Sequence, residues 1–95
     1  MSDDLSPEEL TVLSIFGTTT SGAFGKKPKE GKKLTRFYLG YRFKSSAEAN
    51  DVAVTDEMIA KEISTGIERL IEKGFAEEDK KGIKLTSEGF ALIAR

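Results

Sequence analysis

The chain is 95 residues long, 38% hydrophobic and 33% charged, a balance that suits one small globular domain and leaves no room for two separate cores. It has no histidine and no cysteine, which excludes disulfide staples, zinc sites built on nitrogen or sulfur, and nucleophiles paired with a histidine base. These exclusions point away from an enzyme, and no cofactor or metal is expected. No apolar run approaches the length of a membrane span, and the acidic start Met-Ser-Asp-Asp is unlike a signal peptide, so a cytoplasmic chain without membrane contact is expected.

The first element is a helix. Ser6 is its N-cap, Pro7 fits the first helical position, and Glu9 completes a capping box, with Leu5 and Leu10 as the matching hydrophobic staple. Leu10, Leu13 and Phe16 recur at helical spacing, Val12 and Ile15 widen the stripe, and Gly17 is the expected stop. Residues 18–33 then read as a flexible basic loop. Gly22, Gly25, Pro28 and Gly31 interrupt any regular pattern, and Phe24 is the one apolar residue able to tack the loop to the body. The glycines lack the spacing of a phosphate-binding loop.

Residues 34–44 satisfy two templates. Phe37, Leu39, Tyr41 and Phe43 alternate as in a half-buried strand, whereas Leu34, Phe37, Tyr38 and Tyr41 share one helical face. Aromatic enrichment and the central Gly40 favour the strand. Residues 45–54 read mostly as connection, with Ser45-Ser-Ala-Glu-Ala49 able to form a helical turn. Thr55 then caps a long helix, with acidic Asp56 and Glu57 at its positive end and Val54 and Ile59 as a second staple. Its stripe is Ile59, Ile63, Gly66, Ile67, Leu70 and Ile71, with Ala60 at the edge, and Gly74 is the stop. A glycine inside a helix costs about 1 kcal/mol relative to alanine, so Gly66 implies close packing on a neighbour. Residues 75–78 and 83–85 flank the turn Asp79-Lys80-Lys81-Gly82 as a hairpin. Thr86 caps a closing helix whose inner face is Phe90, Ile93 and Ala94, with Leu85 and Phe90 as its staple.

Charge is distributed unevenly. The first 25 residues carry four acidic side chains and no basic one. Residues 26–44 carry Lys26, Lys27, Lys29, Lys32, Lys33, Arg36, Arg42 and Lys44 against Glu30 alone, and the remainder is again mainly acidic. Lysines interleaved with Phe37, Tyr38, Tyr41 and Phe43 form the mixture that tracks a phosphate backbone while rings stack on bases. The competing reading places the same aromatics in the core. The exposed side of the long helix sets Glu57, Glu62, Glu68 and Glu72 against Lys61, Arg69 and Lys73, including a Glu57–Lys61 pair at helical spacing. Such a face repels DNA.

The run from Ile67 through Leu70 and Ile71 to Gly74 and Phe75, followed by a charged hairpin and Leu85-Thr86-Ser87-Glu88-Gly89, resembles MarR- and PadR-type winged-helix regulators over residues 55–95. The resemblance implies a small α+β winged-helix-like domain, with a long helix, a β-hairpin wing and a C-terminal helix. It also implies a transcription-regulatory, nucleic-acid-binding role, DNA ahead of RNA, and a homodimer joined through the terminal helices. The expected binding residues are Lys26, Lys27, Lys29, Lys32, Lys33, Arg36 and Arg42, with Lys80 and Lys81 at the hairpin tip. The alternative is a protein-binding adaptor or inhibitor, of the kind mobile elements encode, presenting the acidic helix or the basic loop to a protein partner.

Overall fold

The computed structural model describes residues 5–20 and 31–93, the side chains of 19 and 20 excepted. Within them lie four helices and one antiparallel hairpin, an α+β arrangement: α1 (Pro7–Thr20), α2 (Arg36–Ala49), α3 (Asp56–Glu72), β1 (Ala76–Asp79), β2 (Gly82–Leu85) and α4 (Ser87–Ile93). None of the described helices is long and apolar enough to cross a membrane. The lysines at 26, 27 and 29, with Gly22, Phe24, Gly25 and Pro28, fall outside the described residues, as does Ala94.

Helix α1 begins on the expected capping box. The Ser6 backbone N–H donates to Glu9 Oε1 at 2.9 Å, and the Glu9 N–H donates back to Ser6 Oγ at 3.3 Å. Two expectations fail here. Leu10 is 52% exposed, and the inner face is made of Glu9, Val12, Leu13, Ile15 and Phe16 instead. Nor does Gly17 end the helix. It runs on to Thr20, Thr18 satisfying its hydroxyl on the carbonyls of Ser14 and Ile15 one turn back, so residues 18–20 are helical and not loop.

The inward position of Glu9 has a partner. Its side chain is 1% exposed, and Lys73 at the end of α3 donates to Oε1 at 2.8 Å. Burial alone would raise the Glu9 pKa. The Lys73 ammonium and the two Ser6 contacts outweigh it and hold the carboxyl below its usual range. An acid depressed in the fold stabilises it above the usual carboxylate range and loses that contribution as pH falls through the folded value. Glu9→Gln is therefore expected to cost about 1 kcal/mol at neutral pH, since Lys73 is partly solvated. In urea unfolding, wild type should lose more stability than the variant between about pH 5 and pH 3, so that the two converge. A constant gap across that range would contradict this role.

Residues 36–44 are helical, which corrects the strand expectation. Thr35 caps α2, its hydroxyl accepting from the Tyr38 N–H at 3.0 Å. Leu39, Phe43 and Ala47, spaced four apart, form the inward stripe, whereas Phe37 and Tyr41 point outward at 86% and 58% exposure. Gly40 serves the helix pair. A Cβ there would lie 3.2 Å from Ile59 Cγ2, so its absence lets α2 and α3 approach. The helix ends with Asp51 at φ 57°, in the left-handed region, with Asp51 N–H on the Glu48 carbonyl and Val52 N–H on that of Ala47. Residues 50–55 are thus a turn between two helices.

Helix α3 follows expectation closely. Thr55 accepts from the Met58 N–H at 3.1 Å, and Ile59, Ile63, Gly66, Ile67 and Leu70 are buried; only Ile71 slips to the surface. Gly74, at φ 80°, closes it, with Phe75 N–H on the Leu70 carbonyl and Gly74 N–H on that of Ile71. The Glu57–Lys61 ion pair is not formed among the described residues; Glu62 instead accepts from Thr11 of α1 at 3.0 Å.

The hairpin pairs Ala76 with Leu85, Glu77 with Lys84, Glu78 with Ile83 and Asp79 with Gly82. Leu34 adds a single antiparallel bridge on its far side, exchanging both backbone hydrogen bonds with Ile83 at 2.7 and 2.8 Å. Thr86 fastens the return: its hydroxyl donates to the Gly74 carbonyl and accepts from the Gly89 N–H that opens α4. The core is where α1 lies along α3, closed by Leu34, Leu39, Ala76, Ile83 and Leu85.

Candidate nucleic-acid interface

The Leu34–Ile83 bridge decides where the basic residues go. It lays residues 32–36 against the hairpin, so side chains more than forty positions apart meet. Lys33 Nζ donates to Asp79 Oδ2 at 2.5 Å. Arg36 grips Glu78 with two parallel hydrogen bonds, Nε to Oε2 at 2.8 Å and Nη2 to Oε1 at 2.9 Å, and reaches Ser64 of α3 through Nη1 at 3.2 Å. Lys84 lies 3.8 Å from Glu77 across the strand pair. Every acid of the hairpin therefore has a cation of its own.

The pairing shows in the titration of these groups. The Arg36 guanidinium holds the Glu78 carboxyl below its usual range, and Glu78 in turn raises the Arg36 pKa. Lys33, joined by the backbone N–H groups of Lys81 and Gly82, does the same to Asp79. Those N–H groups donate to Asp79 Oδ1 at 2.8 and 3.2 Å, so one carboxylate both accepts the lysine and shapes the tip. Gly82 at φ 144° completes the turn; a side chain there would strike the Leu34 carbonyl, 2.8 Å from the Cβ position.

With the acids neutralised, Lys32, Lys80 and Lys81 remain. All three are exposed, and among the described residues none forms an ion pair. The hairpin edge is thus cationic although its sequence is not. Of the expected binding residues, Lys80 and Lys81 stand at the hairpin tip and Lys33 and Arg36 are committed to Asp79 and Glu78, while Lys32, two residues before the Leu34 bridge, falls toward Leu85 at the base of the hairpin. Arg42 is not at the hairpin. It turns toward α1, donating to Thr18 Oγ1 and to the Tyr38 hydroxyl at 2.9 Å each, with its guanidinium carbon 5.7 Å from the Tyr38 ring centroid. The expectation that aromatics stack beside the lysines also divides: Tyr38 and Phe43 pack toward the core, and only Phe37 and Tyr41 are exposed.

Sequence reading missed Lys84, although its place opposite Glu77 follows from the hairpin register. It also missed the groove between α2 and α3, of about 540 Å³, onto which Phe37 and Tyr41 open. Compared with protein-family models, curated proteins and solved structures, the chain matches none.

Proposed function

We propose that this chain is a winged-helix-type, transcription-regulatory protein that holds nucleic acid, DNA ahead of RNA, by the phosphate backbone at the edge of its hairpin. The order helix, bridging Leu34, helix, turn, helix, hairpin, helix supports the winged-helix reading, because Leu34 stands where a third strand would flank the wing. The observation that carries the functional reading is the separate neutralisation of Glu77, Glu78 and Asp79, which leaves Lys32, Lys80 and Lys81 uncompensated. Helix α3 is scaffold in this reading. It exposes Asp56, Glu57, Glu68 and Glu72, and phosphates disfavour such a face.

Binding is then sequence-independent and salt-sensitive. A labelled generic duplex is expected to bind with a Kd of roughly 1–100 μM at physiological salt, the ordinary range of backbone contact, and more tightly at 50 mM. Absence of binding at that salt would sink the proposal. It would favour the second reading, a protein-binding module, for which the acidic exposed face of α3 speaks.

A further inference from the structure

Phe37 is the most exposed large hydrophobic side chain among the described residues, and it stands at the lip of an apolar groove. The floor of that groove is made of Gly40, Ile59, Ala60 and Ile63, with Tyr41 on the same lip as Phe37. Among the described residues nothing fills this hole, and because knob and hole share one face, the knob of a second copy can enter the hole of the first.

The rim charges say what covers it. Arg36 on α2 touches Ser64 on α3, and Gly40 lies against Ile59, so the two helices run antiparallel along the groove. The same progression brings Lys44 level with Asp56, and both line the groove. Each is exposed, and among the described residues neither has an ion-pair partner. A two-fold axis running along the groove places α2 of each copy over α3 of the other. That operation sets each Lys44 opposite Asp56 of the second copy, and each Phe37 over the other copy's α3 near Ile63. The face is complementary to itself in charge.

We infer that the occupant of the α2–α3 groove is a second copy of this chain, docked face to face about that axis. The interface is distinct from one through the terminal helices, and it does not depend on nucleic-acid binding. It leaves the hairpin tip, with Lys80 and Lys81, outside the contact.

Sedimentation equilibrium of the full chain tests it. Wild type is expected to show a monomer–dimer equilibrium in the micromolar range, and Phe37→Ala to weaken it about 30-fold, the loss expected of a central aromatic anchor. Lys44→Asp alone and Asp56→Lys alone should each be monomeric, because each sets like charges opposite one another. Mixed, the two variants should form a heterodimer, since each then meets its opposite. Far-ultraviolet circular dichroism checks that each variant is folded, which surface positions should permit. A wild type that stays monomeric at several hundred micromolar overturns the inference and leaves the groove to another occupant. A dimer indifferent to Phe37→Ala, or charge-swapped variants that fail to associate on mixing, overturns it equally by placing the contact elsewhere.

Discussion

Replacing Gly66 with alanine is expected to destabilise the fold by about 2–4 kcal/mol, against the direction that helix propensity alone gives. On an open helix surface the same change would gain about 1 kcal/mol. Here the added methyl would strike the Glu8 carbonyl oxygen and lie 2.7 Å from Val12 Cγ2. The first of these is backbone inside α1 and cannot rotate aside. Helix α1 would have to withdraw from α3, loosening Val12 and Phe16, which are fully buried, against the Ile63–Ile67–Leu70 stripe. In a domain of this size each kcal/mol shifts Tm by roughly 4–8 °C, so thermal unfolding should show a fall of at least about 10 °C. A raised Tm would mean that α1 and α3 do not cross at Gly66.

The second large effect lies at the hairpin edge. Replacing Lys32, Lys80 and Lys81 together with alanine removes three uncompensated charges while leaving every ion pair of the hairpin in place. Each phosphate contact contributes close to one factor of ten at about 0.1 M salt, so duplex binding should fall by two to three orders of magnitude, below detection in fluorescence anisotropy. Stability should change by less than about 0.5 kcal/mol, as is usual for exposed side chains without partners. Arg42→Ala serves as the matched control. It removes one positive charge from the far side of α2 and should leave duplex affinity within about twofold. If the triple variant still binds like wild type, the lysines of the hairpin edge are not the contact.

The second half of the chain was legible because its signals are local. Thr55, Gly74, Asp79, Gly82 and Thr86 act within a few residues of where they stand, and each does in the fold what its position implies. Gly66 was legible for the same reason, as a helix-weakening residue with no local justification. Helix α2 was obscured by its own aromatics. Phe37 and Tyr41 are its most conspicuous apolar residues and both face outward, so neither the strand alternation nor the 34–37–38–41 stripe traces the Leu39–Phe43–Ala47 line that is buried. At α1, Gly17 had the chemistry of a stop, but the helix runs on past it, with the Thr18 hydroxyl bonded back to the carbonyls of Ser14 and Ile15.

The candidate site was legible as a set of residues and not as an arrangement. In the sequence Glu77, Glu78 and Asp79 stand directly before Lys80 and Lys81, close enough to cancel them. They do not, because Leu34 bridges Ile83 and delivers Lys33 and Arg36 to Asp79 and Glu78 from 46 and 42 residues away. No spacing rule in the sequence encodes that pairing. Arg42 shows the converse: it belongs to the basic stretch by position, yet the helical turn of α2 carries it to Thr18.

Whether phosphate is held at a cationic hairpin edge is read from the dependence of generic-duplex affinity on salt between 50 and 200 mM. Three phosphates neutralised by Lys32, Lys80 and Lys81 predict a log–log slope of about −2.7 or steeper, a loss of at least about 40-fold across that range. Affinity that changes by less than twofold, or no binding at 50 mM, would mean that the hairpin lysines do not hold phosphate.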